Sequence, residues 1–147
     1  MVDAAARNIF GPYDIPNVRV DARDVVVNKP QVAAYRAPCT TAAAFAGEQA
    51  IDELALRLAL DPIELRRRNL LAAGAQTVNG QRVTSNGFAE CLARVEEASG
   101  WRERRGRLGF GRGLGVAGSM YISGTNYPIY PNKLPQSGIQ LKLDRSG

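Results

Sequence analysis

Tyr35-Arg36-Ala37-Pro38-Cys39-Thr40-Thr41 is the stretch whose residue types and order could do chemistry. Pro38 disfavours helix at the residue before it, so the stretch reads as a loop. Thr40 or Thr41 can cap a helix that follows, and the free amides of that helix start form an anion site beside Arg36. An ordinary strand-to-helix connection would have the same composition. Two other groups invite a chemical reading. Gly113-Leu114-Gly115-Val116-Ala117-Gly118 satisfies GxGxxG. A dinucleotide fingerprint needs a helix opening within that motif, whereas Ser119 to Ile122 is polar and β-prone. A strand whose glycines let another backbone or a ligand approach closely is the simpler account. Arg66-Arg67-Arg68 and the group Arg102, Arg104, Arg105, Arg107, Arg112 could grip phosphates, yet only Trp101 and Phe110 lie near as stacking partners. Helix-end and linker arginines on a solvated face are the simpler account.

Composition narrows the chemistry further. The 147 residues include no histidine and only two cysteines, Cys39 and Cys91. Ser-His-Asp and Cys-His catalysis, HExxH sites and four-cysteine metal sites are therefore excluded within this chain, and no residue is assigned as a metal ligand. A reduced cysteine pair in the cytoplasm fits better than a single disulfide. Any chemistry must come from arginine, carboxylates, backbone amides or a bound cofactor. The formal charge of +5 is unevenly spread. Residues 1–65 hold six Lys and Arg against nine Asp and Glu, and residues 66–147 hold thirteen against five. No apolar run approaches the roughly 20 residues that span a membrane. The start, Met-Val-Asp-Ala-Ala-Ala-Arg, lacks the apolar core of a signal peptide, so a cytoplasmic location is expected.

The elements that must position these residues follow from periodicity and punctuation. Met1 to Phe10 reads as a short helix stopped by Gly11 and Pro12. Val18 to Asn28 alternates and thickens into Val25-Val26-Val27, the pattern of a strand with an increasingly buried face. A long helix is expected from Thr40 or Thr41 to about Leu60, with Phe45, Ile51, Leu54 and Leu58 at helical spacing. Asp61-Pro62 starts another helix that runs to Arg68, with Glu64 at the capping-box position. A further helix fits Gly87 to Ser99, ended by Gly100. A basic connector, Trp101 to Arg107, leads to a glycine-rich strand over Leu108 to Tyr121. A proline-bearing loop over Ser123 to Gln136 and a last strand over Ser137 to Leu143 complete the chain, with a turn at Asp144 to Gly147. The expected fold class is α/β (α+β), with strands plus about three helices. Uncapped at one end and unpaired at the other, residues 1–147 read as one partial domain, incomplete at both ends.

Several of these segments together are recognisable. Ile15-Pro16-Asn17-Val18-Arg19, Asn28-Lys29-Pro30, Ala34-Tyr35-Arg36, Phe45, Glu48-Gln49, Ile51-Asp52-Glu53-Leu54-Ala55 and the run Asp61 to Asn69 resemble the molybdenum-binding subunit of the xanthine oxidase family. The resemblance is dense over residues 13–72 and thinner through Gly113-Leu114-Gly115 to the last strand. It implies that the chain is part of a molybdopterin-binding domain in an oxidoreductase. It places the aromatic-Arg loop beside the molybdenum centre, with Arg36 and Ala37 facing the cofactor. Tyr35, Pro38, Cys39, Thr125 and Asn126 would then line the substrate pocket. It also implies partner subunits that carry iron–sulfur clusters and FAD. The family's glycine-glutamine-glycine cofactor loop and catalytic glutamate have no counterpart here, so no catalytic residue is assigned and this stretch alone should be inactive.

Departures from the family pattern bear on substrate. Purine-oxidising members have Phe-Arg-Gly-Phe-Gly with a Pro-Gln shortly after; here Pro38 replaces the second Phe, Cys39 the Gly and Ala42 the Gln. Thr125 stands near the place of their second clamping aromatic, and Ala4 near that of a substrate-binding Arg. These changes speak against xanthine. Cys39 lies three residues after Arg36, which does not match the copper-bridging cysteine of carbon monoxide dehydrogenases. Gly124-Thr125-Asn126-Tyr127-Pro128-Ile129-Tyr130 and Pro135-Gln136-Ser137-Gly138 are similar to the 4-hydroxybenzoyl-CoA reductase branch, which reductively removes a phenolic hydroxyl from an aromatic acyl-CoA. A basic second half would suit the anionic CoA tail. The alternatives are another family member hydroxylating aldehydes or N-heterocycles and, from a different class, a basic nucleic-acid-binding module.

Overall fold

Asp61-Pro62 does what its residue types dictate. The Asp61 carboxylate accepts hydrogen bonds from the Ile63 and Glu64 amides at 2.8 and 3.3 Å, and Pro62 occupies the first helical position, where its missing N–H costs nothing. In the computed structural model this helix is one of five among the described residues, α1 (Val2–Asn8), α2 (Thr40–Arg57), α3 (Pro62–Arg68), α4 (Phe88–Ser99) and α5 (Trp101–Arg104). The structure describes residues 2–77, 80, 82–121 and 139–145. Tyr13, Ile51, Ala55 and Leu65 form the centre of the core, with Ile15, Leu60, Leu70 and Phe88 packed around them. A single antiparallel bridge between Tyr13 and Leu70 ties the segment after α1 to the end of α3, through Asp14 N–H to Asn69 C=O at 2.8 Å and Leu71 N–H to Pro12 C=O at 3.0 Å.

Helix ends explain how the pieces meet. At the end of α2 the Leu60 amide bonds the Ala55 carbonyl and the Ala59 amide bonds that of Leu56, a double-bonded stop that requires a left-handed residue between them. Ala59 fills that place with φ at 52°. Removing its Cβ relieves roughly 1–2 kcal/mol of left-handed strain, while glycine returns roughly 0.4–1 kcal/mol of freedom to the unfolded chain. Ala59→Gly should therefore stabilise the protein by about 0.5–1 kcal/mol, read as a rise in the urea midpoint; a fall would show that the strain is not there. Gly100 ends α4 at φ 60° as expected, and the residues after it form α5 rather than a connector. The driving contact is Trp101, buried, whose indole N–H donates to Asp61 at 2.8 Å while Arg105 lies over its ring at 5.2 Å.

The expected strands are absent among the described residues, whose only β pairings are the Tyr13–Leu70 bridge and one between Gln76 and Arg82. The α/β (α+β) expectation is thus corrected to a helical arrangement. Val18 to Asn28 carries no strand, and Val25, Val26 and Val27 are 69%, 98% and 57% exposed rather than increasingly buried. Leu108 to Tyr121 and residues 139–143 are likewise unpaired. A ladder needs a second backbone about 4.8 Å away, and β-propensity expresses packing against such neighbours rather than an intrinsic backbone choice. These runs find no such neighbour among the described residues. The long helix also departs from its expected face: Ile51 is buried, but Phe45, Leu54 and Leu58 are exposed. The loop placed over Ser123 to Gln136 lies outside the described residues. No described helix is long and apolar enough to cross a membrane.

Candidate cofactor groove at the start of α2

A groove of about 620 Å³ runs between the first three turns of α2 and the segment from Gly115 to Tyr121. On the helix side it is lined by Ala37, Thr40, Thr41, Phe45, Glu48 and Asp52 among others. Positions 41, 45, 48 and 52 recur at helical spacing, which puts them on one face. The loop before α2 is held in an unusual backbone state, with Ala37 at φ 54° and Cys39 at φ 60°. Left-handed conformations in residues with a Cβ concentrate where function fixes the backbone.

Cys39, not a threonine, takes the N-cap position of α2, and no side chain caps the helix. Thr40 and Thr41 lie inside its first turn, which corrects the expected capping role. A left-handed cap residue cannot aim its side chain at the following amides as an extended one does. The consequence is a helix start that keeps its positive end uncovered by side chains. Thr40 is buried, and its hydroxyl has no hydrogen-bond partner. An unsatisfied buried hydroxyl costs roughly 1–3 kcal/mol, so it calls for an explanation.

Below the first turn the groove floor is charged but balanced. Glu48 is buried, and its carboxylate accepts from the Tyr13 hydroxyl at 2.6 Å, Arg66 Nε at 2.8 Å and the Gly118 amide at 2.7 Å. Arg66 is fully buried and also donates to Asp52 at 2.7 Å and to the Pro62 carbonyl at 3.1 Å. Burial works against the Arg66 charge, but Asp52 and Glu48 more than offset it and hold the guanidinium above the usual arginine range. Burial, reinforced by Glu48, pushes the Tyr13 phenol well above the ordinary tyrosine value. Both carboxylates lining the groove are therefore paired with one arginine, and neither presents an unbalanced negative charge to an anion. An orphaned hydroxyl, an uncapped helix start and neutralised carboxylates fit an anionic, oxo-bearing group.

Of the residues singled out from sequence, the structure brings Ala37 to the groove. Arg36 and Tyr35 stand exposed, outside its lining, while Pro38 and Cys39 are half-buried between them and the helix. Thr125 and Asn126 lie outside the described residues. Both cysteines are free thiols. The glycine motif opens no helix; its Gly118 sits where a Cβ would collide with the Phe88 ring, as a close approach demands. The arginine runs are not simply a solvated face. Arg66 is in the core, Arg67 bridges Glu64 and Glu96, Arg68 pairs with Glu64, and Arg102 pairs with Glu96. Arg102 and Arg67 hold the Glu96 carboxyl below its usual range. Among the described residues no cluster of His, Cys, Asp or Glu is able to hold a metal ion. Sequence reasoning missed Glu48 and Asp52 as groove residues, although their spacing from Thr41 and Phe45 was visible.

Residues 1–70, which include the start of α2, match the molybdopterin cofactor-binding domain. That stretch belongs to that family. The resemblance to molybdenum-binding subunits of the xanthine oxidase family is borne out by full-length relatives. A nicotinate dehydrogenase large molybdopterin subunit of Eubacterium barkeri is 35% identical over 98 residues, 66% of this chain and 23% of its own length. A putative xanthine dehydrogenase molybdenum-binding subunit of Escherichia coli (strain K12) is 32% identical over 126 residues, 82% of this chain and 16% of its own length. An aldehyde oxidoreductase of Megalodesulfovibrio gigas is 30% identical over 122 residues, 78% of this chain and 14% of its own length. The chain thus spans less than a quarter of each. Within this molybdopterin cofactor-binding domain the family match covers the helix wall of the groove, whereas the wall from Gly115 to Tyr121 lies beyond residue 70.

Proposed function

We propose that the chain is part of the molybdenum subunit of a multi-subunit cytoplasmic oxidoreductase, with Ala37, Arg36 and the first turn of α2 facing its molybdopterin. The observation that carries this is the partnerless Thr40 hydroxyl at the uncapped start of a helix inside the matched region. The bound cofactor supplies the redox chemistry. The chain's own residues supply direction and charge: the Thr40 hydroxyl and the unbonded amides of the first turn of α2 donate to an anionic ligand, Arg36, exposed one residue before Ala37 at the groove, supplies a positive charge beside it, and Arg66 keeps Glu48 and Asp52 from repelling it. Tyr35, Pro38 and Cys39, with Thr125 and Asn126, are proposed as substrate-pocket residues, and iron–sulfur and FAD subunits as partners.

Thr40→Val separates this reading from a merely strained fold. Removing an unsatisfied hydroxyl at constant shape should raise the stability of the cofactor-free complete protein by about 1 kcal/mol. It should also lower the molybdenum and pterin retained per subunit about tenfold, the order expected when one hydrogen bond to a charged group is lost. Full retention in the variant, or wild-type protein without molybdenum, sinks the proposal.

For substrate, the names of the relatives favour oxidation of an aldehyde or N-heterocycle. The reading as a 4-hydroxybenzoyl-CoA reductase is supported by Gly124 to Tyr130 and Pro135 to Gly138. Assaying the complete complex with nicotinate, benzaldehyde and xanthine against an electron acceptor, and with 4-hydroxybenzoyl-CoA against a reductant, decides between them.

A further inference from the structure

Glu48 is an expensive residue for a helix core. Taking a carboxylate and a guanidinium out of water costs several kcal/mol per ion, and an apolar pair would pack α2 on α3 without that cost. What an apolar pair cannot do is accept a backbone amide. The Glu48 carboxylate reaches 70 residues along the chain to the Gly118 N–H, at 2.7 Å. Among the described residues this is the hydrogen bond that the segment from Gly115 to Tyr121 makes; the segment has neither helix nor ladder to hold it. The remaining contacts are van der Waals ones, with Phe88 against Gly118 and Met120 against Gly11. Phe88 fixes how close Gly118 comes to α4, and Glu48 fixes how close it comes to α2. Together they set the width of the groove.

We propose that Glu48 is a positioning residue: by holding the Gly118 amide it places the Gly115–Tyr121 wall opposite the start of α2, and so shapes the part of the site that takes substrate. The proposal rests on reading the groove as the cofactor and substrate site. Arg66 is the reason the device is possible, because its guanidinium, 2.8 Å from Glu48, supplies the counter-charge that a carboxylate needs in the core. Tyr13 fixes the orientation of the same group by donating to its other oxygen. The wall is thus aimed by a charge on the opposite side of the groove.

The test uses the complete protein in its complex and two variants. Glu48→Gln keeps shape but replaces one accepting oxygen with a donor. Glu48→Asp keeps the charge for Arg66 and withdraws the oxygens by one methylene length, so it serves if the first variant does not fold. Two quantities are read, hydrogen exchange of the peptide spanning residues 115–121 and the separate values of KM and kcat. Exchange should quicken about tenfold and KM rise about tenfold, the order expected for one charge-assisted hydrogen bond, with a larger effect on KM than on kcat. Unchanged exchange overturns the proposal, because the wall is then held by something else. Faster exchange with unchanged KM overturns it too, because the wall then positions nothing. A lowered thermal midpoint with both readouts unmoved marks Glu48 as structural only. Failure of the cofactor reading shows separately, as wild-type protein that lacks molybdenum while the exchange readout still responds to the variants.

Discussion

Arg66→Met should cost the complete protein about 3–5 kcal/mol of folding stability, the range measured when one partner of a buried ion pair is removed. The variant side chain fills the same space, so packing is not the source of the loss. Glu48 would be left buried with the Tyr13 hydroxyl and the Gly118 amide as its donors and no counter-charge, and Asp52 would lose its partner. Urea unfolding at neutral pH reads the difference. Combining it with Glu48→Gln removes the stranded charge, so the double variant should lie well short of the sum of the two single losses. A single loss below about 1 kcal/mol would mean that the pair is hydrated and the core is not organised around it.

Gly47→Ala is the second large effect, and its sign runs against propensity. Alanine in a helix interior is favoured over glycine by roughly 0.5–1 kcal/mol. At this position the added Cβ would stand 2.5 Å from the Ile9 carbonyl oxygen, which is backbone and has no side-chain rotation to escape by. The crossing of α1 on α2 depends on that gap. Overpacking of this kind costs typically 1–3 kcal/mol, and a backbone obstacle puts it near the top of the range. The expected net loss is about 2 kcal/mol, read as a lower thermal midpoint. A gain would show that α1 moves aside freely and contributes little to the fold.

How much of this was legible in the sequence depended on whether a signal was local. Asp61-Pro62 and Gly100 are short-range devices, and both helix boundaries fell where their residue types put them. Val18 to Asn28 failed because a strand is a relation between two segments, and alternation in one segment says nothing about the other. The cap of α2 failed for a related reason: two threonines look like caps, but the left-handed turn at Cys39 shifts both into the helix. Arg66 sits in a run of three arginines that reads as solvated, and only the arrival of Glu48 and Asp52 from α2 shows that one of the three is core. Ala37 was named through family resemblance, and it lines the groove. Glu48 was overlooked as a groove residue because its chemistry lies in a bond to a glycine amide, and amides carry no mark in a sequence.

The 70-residue reach from Glu48 to Gly118 also has a meaning in time. Chains are made at roughly 5–20 residues per second, so Glu48 exists for about 4–14 s before Gly118 does. Arg66 follows only 18 residues behind Glu48 and can neutralise it early. The members of the network therefore become available in the order in which they are translated, the charge pair first and the amide last. For those seconds the nascent site has one wall and an open side, and the bond that finishes the groove is the last of its set that synthesis makes possible.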